Sequence, residues 1–316
     1  MKGALRYLAV GILGLLLLGG TAQLWAQAPA KDSEADLYTA WYNEKDATKK
    51  ADIAKTYLDK YPKGQYAAYM KQSITAYQFS LFQTAFQNHK SSDLFDLAKK
   101  FLADPPEGVD PVTFLYWPAL ESQRLTVSRD FTLEKDGRDF TQKAIAAIEA
   151  GKMPAMVQDK AAWDGGQKNK VLGAFYQNLG LIDAHDKQND QAVTELNKAL
   201  TLDPNQPYTA FQLGLIYQGK YNDDLQKYNA ITDKESADAK TALDVLHADE
   251  DNAIEALGRF MALTDGNAQW TSQRNSVQPV LEAFWKERHP DDPTGAQKAV
   301  DKYKTPAANP SSTPGV

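Results

Sequence analysis

Between Gln191 and Leu200 the apolar residues Ala192, Val193, Leu196, Ala199 and Leu200 fall at i, i+1, i+4, i+7 and i+8. That spacing lays them along one stripe of an α-helix. Helical spacing of this kind recurs along the chain, and no convincing run of alternating β-branched residues breaks it, so the pattern predicts an all-α protein. The stripe stops at Asp203-Pro204-Asn205, because proline cannot continue the hydrogen-bond ladder and disfavours helix in the residue before it.

The same ending recurs. Ala54-x-x-Tyr57-Leu58 leads to Pro62, Ala98-x-x-Phe101-Leu102 to Pro106, and Leu196-x-x-Ala199-Leu200 to Pro204, with equal spacing. Three such copies predict repeated helical units. A further helix is expected from Asn252 to Thr264, with Ala253, Leu257, Phe260 and Met261 as its stripe and Gly266 as its stop. A final pair is expected at Ser272–Glu287 and Thr294–Tyr303, on either side of Pro290-Asp291-Asp292-Pro293. In the helix that starts near Pro207, Leu213 and Tyr217 form one stripe with Gly214. Tyr208, Phe211 and Leu215 form a second, about 200° away. A helix apolar on two sides buries both or offers one to a ligand.

These residues resemble the tetratricopeptide-repeat (TPR) family. Tyr176-x-x-Leu179-Gly180 matches the first helix of its hairpin and Ala192-x-x-x-Leu196-x-x-Ala199 the second, closing at Asp203-Pro204. The copy departs from the pattern at Asp183, where an aromatic is usual. A second copy starts at Ala210-x-x-Leu213-Gly214-x-x-Tyr217, and its second helix is expected only at Asn252, so residues 222–251 read as an insertion. Upstream, Tyr57 to Ala67 is similar to the degenerate repeats of bacterial envelope proteins. The resemblance implies stacked antiparallel helical hairpins in a right-handed superhelix (α-solenoid) with a concave binding face. Gly180 and Ala192 are small because the two helices should cross closely there, and Gln177 and Leu181 fall at inner-face positions.

Lys2 and Arg6 precede an apolar run from Tyr7 to Gly20, followed by small residues up to Ala26, the layout of a signal peptide cut near Ala26. The alternative is an uncleaved anchor of about 20 residues, just long enough to span a bilayer core. The chain has no cysteine, which removes lipid anchoring, disulfides, thiolate metal sites and thiol nucleophiles together. Its 35 Lys+Arg stand against 41 Asp+Glu, and the balance becomes more acidic once Lys2 and Arg6 leave with the leader. That argues against nucleic acid as a partner, since such binding rests on clustered cations. The expected organisation is a leader at 1–26, degenerate repeats at 27–154, repeats with the insertion and terminal pair at 155–303, and a disordered Pro/Ser-rich tail at 304–316.

No catalytic signature emerges. Gly151-Lys152-Met153 and Gly219-Lys220-Tyr221 lack the hydroxyl and upstream glycine of a phosphate loop. His89, His185, His247 and His289 are dispersed and read as surface residues. Asp249-Glu250-Asp251 lacks the glycine and spaced oxygens of a calcium loop. It reads as acidic capping of a helix starting at Asn252. Paired aromatics such as Phe82/Phe86 and Tyr116-Trp117 read as packing between helices. The sequence therefore predicts a non-catalytic, periplasmic or secreted scaffold without cofactor or metal, gripping a protein or peptide partner. Tyr208, Phe211, Leu215, Gln177 and Leu181 are its candidate contacts, and a membrane contact would come only through an uncleaved leader. The rival expectations are an enzyme or enzyme accessory acting on envelope polymers, and a self-assembling structural protein.

Overall fold

The computed structural model describes residues 33–105 and 109–304, so the expected leader and tail lie outside the described residues except for Lys304. Every regular element among the described residues is helical, in agreement with the periodicity. None of these helices is long and apolar enough to cross a membrane. The chain divides into two compact units, residues 1–77 and 78–316.

The first unit contains α1 (Glu34–Asn43), α2 (Ala47–Lys60) and the start of α3 (Ala67–Gln87). Ser33 and Asp46 cap α1 and α2 by accepting the Asp36 and Lys49 amides, which satisfies donors that the first turn leaves free. Its core is small: Leu37, Ala54, Tyr57 and Met70 are buried, and the Tyr38 and Tyr66 rings stack at 3.8 Å. The Tyr57 hydroxyl bonds Glu34 and accepts the Tyr66 amide at 3.0 Å, which ties both helices to the turn before α3.

The second unit takes the rest of α3 and then α4 (Ser91–Ala103), α5 (Val112–Val127), α6 (Glu134–Glu149), the short α7 (Lys160–Ala162) and α8 (Lys168–His185). It continues with α9 (Asn189–Leu202), α10 (Pro207–Ala230), α11 (Ala237–Leu263), α12 (Thr271–Arg288) and α13 (Gln297–Asp301). α5 pairs with α6, α8 with α9, and α10 with α11; α8 also lies on α5 and α6, α10 on α9, and α12 and α13 on α11. Phe82, Phe95, Phe114, Phe140 and Phe175 fill one core, and Leu196, Leu213, Leu257, Phe260 and Leu281 anchor the next. The aromatics thus serve mostly as packing, as their helical spacing suggested.

Two kinds of helix ending recur. The C-caps of α2, α4, α9 and α12 are Tyr61, Asp104, Asp203 and His289, with φ between −137° and −128° and ψ between 60° and 95°. Each directly precedes a proline, whose ring excludes the helical conformation from the residue before it. For α4 the decisive proline is therefore Pro105, one residue earlier than the Pro106 of the sequence pattern. α3, α5 and α8 instead end on a left-handed residue, His89, Arg129 and Lys187, with φ 54°, 60° and 62°. The amide after each bonds back across the last turn: Lys90 N to Ala85 O, Asp130 N to Leu125 O and Gln188 N to Asp183 O. These are Schellman closures, and they turn the chain sharply into its partner helix.

The region expected as an insertion is helical. α10 continues through residue 222 to Ala230, and α11 begins at Ala237 rather than Asn252, capped by the Ser236 hydroxyl on the Ala239 amide. The acidic run 249–251 consequently lies inside α11 and is no cap. Asn252 has no special role in starting the helix.

Candidate functional site

Close crossings fix the register of the hairpins. A Cβ on Gly180 of α8 would lie 2.6 Å from Leu196 Cγ and 3.2 Å from the Ala192 carbonyl, so the expected small–small approach is real. A Cβ on Gly214 of α10 would lie 2.7 Å from Leu257 Cγ of α11, the same arrangement in the next pair. Beyond that crossing both α10 and α11 run on about three turns further than α8 and α9 do. The extension carries a polar cluster between α10, α11 and α12.

Its centre is Asp249 and Glu250, 5% and 1% exposed. The apolar stripe explains their position: Leu246, Ala253, Ile254 and Leu257 are buried at i, i+7, i+8 and i+11, which puts Asp249 and Glu250 at i+3 and i+4 on the same face. That continuous face was readable in the sequence only if the helix was taken to start before Asp249. Asp249 meets the carboxyl of Asp224 on α10, and Glu250 that of Glu287 on α12. Burial raises the Asp249 carboxyl to about 6, with the Asp224 charge adding and Lys220 opposing. Burial also raises Glu250, to about 7, reinforced by Glu287 and opposed by Arg288. Two carboxylates cannot both ionise cheaply side by side in a desolvated site. The Tyr221 hydroxyl donates toward both Glu287 oxygens at 3.2 Å, and burial beside those acids pushes it up to about 12. Arg288 pairs with Asp251 through two bonds of 2.8 and 2.9 Å, which lowers that carboxyl, and stands 3.8 Å from Glu250. Asp249 Oδ2 and Glu250 Oε1 have no hydrogen-bond donor. The arrangement can hold protons near neutral pH.

A second buried polar set is fully satisfied. Asn178 of α8 donates to Ser122 Oγ of α5 at 2.8 Å and Thr141 Oγ1 of α6 at 2.7 Å, and accepts from Thr126 Oγ1 at 2.8 Å. Gln177 accepts from Gln123 at 3.0 Å and donates to Thr209 of α10 at 2.5 Å. A chain of side-chain bonds therefore joins α5, α8 and α10.

That role corrects the expectation for Gln177, which is 6% exposed and sits between helices instead of on an open inner face. Leu181, at 5%, is buried as well. Phe211 is half-buried with its ring 5.1 Å from Phe260, so part of the second stripe belongs to the core. Tyr208 is half-buried and Leu215, at 39%, is exposed. Asp183, where an aromatic was anticipated, is buried and paired with Arg138 of α6, which also holds Asp186 at 2.8 Å.

Glu134, His185 and Asp186 bring ligating atoms within 4.8 Å of one another. Glu134 is half-buried and His185 and Asp186 are exposed, and they already engage one another and Arg138: His185 Nδ1 lies 2.8 Å from Glu134. Two open clefts, of about 650 and 280 Å³, lie beside Gln278, Glu282 and Lys286 on α12 and around Asn267 and Arg274; neither includes the paired carboxyls.

No known protein-family model matches the chain, and no curated protein is similar to it.

Proposed function

We propose that this chain is a non-catalytic scaffold of the bacterial cell envelope, a TPR-like α-solenoid that binds a protein or peptide partner. The observation that carries the reading is the repeated hairpin unit. In two successive pairs a glycine of the first helix receives a leucine of the second, Gly180 with Leu196 and Gly214 with Leu257, and each pair rests on the one before it. Arrays of this kind present extended surfaces built from many similar helices, and such surfaces suit elongated partners.

On this reading the exposed edge of α10, with Leu215 at its centre and the half-buried Tyr208 and Phe211 beside it, is the first place where an apolar partner segment makes contact. A few aromatic or aliphatic anchors carry most of the affinity in such contacts. The test is a photo-crosslinking residue at Tyr208 in the protein as expressed in its native cells. A single discrete adduct is expected, lost in Leu215→Glu while the melting curve of that variant stays unchanged. An adduct that persists in Leu215→Glu, or none at all, overturns the assignment of this edge.

A further inference from the structure

The acidic cluster of the extended hairpin has a geometry that the scaffold reading does not use. α11 carries two buried carboxyls on neighbouring residues, and each points to a carboxyl on a different helix: Asp249 to Asp224 on α10, and Glu250 to Glu287 on α12. One oxygen of each buried group is unpartnered when both members of the pair are written as ionised. We propose that these two pairs form a proton-operated latch, which holds α11 to α10 on one side and to α12 on the other while a proton is shared and loosens when the proton leaves.

The charges around the latch decide what its counter-ion is. Facing Asp249 are Lys220 and Asp224 from α10 and Asp190 from α9, and Lys220 is already bonded to Asp190. Facing Glu250 are Glu287 and Arg288 from α12 and Tyr221 from α10, and Arg288 is committed to Asp251. His247 and His289 act on Asp251, and Lys302 at the end of α13 pairs with Glu255 instead. Lys227 of α10 also bonds Asp224 at 2.5 Å, so the Asp249 pair has two cations beside it, whereas the Glu250 pair has Arg288 alone, shared with Asp251, and keeps negative charge uncompensated in a desolvated place. Only two carboxyls meet at each end, too few for the oxygen shell that a calcium ion takes. A proton needs one acceptor and one donor, which the pairs supply. The exposed side of Glu287 gives that proton a path to solvent.

α12 is held to the core as well by Val277, Leu281, Phe284 and Trp285, so ionisation loosens its attachment without ejecting it. The values of about 7 for Glu250 and about 6 for Asp249 place the change around neutral pH.

Amide hydrogen exchange on the full chain at pH 6 and pH 8, corrected for intrinsic exchange rates, tests the latch. Residues of α12 and of the early turns of α11 should exchange about tenfold faster at pH 8, the factor expected when a carboxyl titrating near 7 opens to an ordinary one. Protection in α5 and α6 should not change. Glu250→Gln keeps the shape and supplies a permanent donor to Glu287, so its α12 protection at pH 8 should equal that of the natural protein at pH 6. Glu287→Gln should behave alike if the first variant folds poorly. Protection that is flat with pH in the natural chain, a tenfold change that spreads equally to α5 and α6, or an undiminished change in both glutamine variants overturns the latch. So does recovery of α12 protection at pH 8 on adding millimolar magnesium or calcium, since the pairs would then be holding a metal cation.

Discussion

A comparison of two helical glycines isolates the cost of the hairpin crossing. Replacing any mid-helix glycine by alanine gains about 1 kcal/mol of helix propensity. At Gly219 nothing lies within 4 Å of the new methyl, so Gly219→Ala should stabilise by about that amount. At Gly180 the methyl would sit 2.6 Å from Leu196 Cγ, 2.8 Å from its Cδ2 and 3.2 Å from the Ala192 carbonyl. Leu196 is fully buried, so it cannot swing out into solvent without opening the core. Overpacking of this kind costs about 1–3 kcal/mol. The net expectation for Gly180→Ala is a change between about zero and 2 kcal/mol of destabilisation, and its difference from Gly219→Ala, about 1–3 kcal/mol, is the crossing itself. Urea denaturation followed by far-ultraviolet circular dichroism reads both midpoints under the same conditions. If Gly180→Ala proves as stabilising as Gly219→Ala, the helices do not approach closely at Gly180 and the register given to this hairpin is wrong.

Three other outcomes follow from the buried polar groups. Asn178→Leu removes one side chain and leaves the hydroxyls of Ser122, Thr126 and Thr141 short of partners, and it should lower stability by about 2–4 kcal/mol in the same denaturation assay. Arg138→Met leaves the Asp183 carboxylate buried and unpaired, and should cost about 3–5 kcal/mol, most of it recovered when Asp183→Leu is added, as a double-mutant cycle would measure. The pH dependence has a definite sign. The folded carboxyl of Glu250 is raised to about 7 and its unfolded counterpart is ordinary, so the native state binds the extra proton between those two values. Stability from this group is therefore complete on the acid side and falls as pH rises toward 7. The loss from this group should be about 2.5 kcal/mol between pH 5 and pH 8, and Glu250→Gln should remove that part of the pH dependence and leave the smaller part due to Asp249, as thermal melts across that range would record.

Much of the fold was legible because it rests on short-range rules. The stops before Pro62 and Pro204, the small residues at Gly180 and Ala192, and the stripe through Leu196 and Leu200 each depend on residues within a turn or two of one another. The extended hairpin was not legible for a physical reason. Residues 222–251 carry Asp224, Asp249 and Glu250 on faces that otherwise hold apolar groups, and polar residues at such positions read as solvated loop. What makes them helical is tertiary: α12 lies along α11 and supplies Glu287 and Arg288. Gln177 failed for the complementary reason. Its position was taken from the inner face of a repeat pattern, yet only the neighbouring helices reveal that Gln123 and Thr209 use up its hydrogen bonds.

The two buried polar sets of the second unit have opposite thermodynamic characters. Asn178 and its hydroxyl partners are neutral, and every donor and acceptor of the amide that the site can satisfy is satisfied at any ordinary pH. Such a network fixes register, since a one-residue slip between α5 and α8 would strand several buried groups at once. Asp249 and Glu250 are satisfied only while each pair retains a proton, so their contribution varies with the medium. The part of the chain built on Asn178 is thus constant with pH, and the part built on the extension is adjustable. A partner that bound across α10 and α12 would then meet a surface whose rigidity depends on pH, while one bound across α5 and α8 would not. Partner affinity measured at pH 6 and pH 8 for natural protein and Glu250→Gln would separate these cases. A pH effect removed by the variant places the partner on the extension, and an effect that persists both there and in Asp249→Asn places the titrating group outside it.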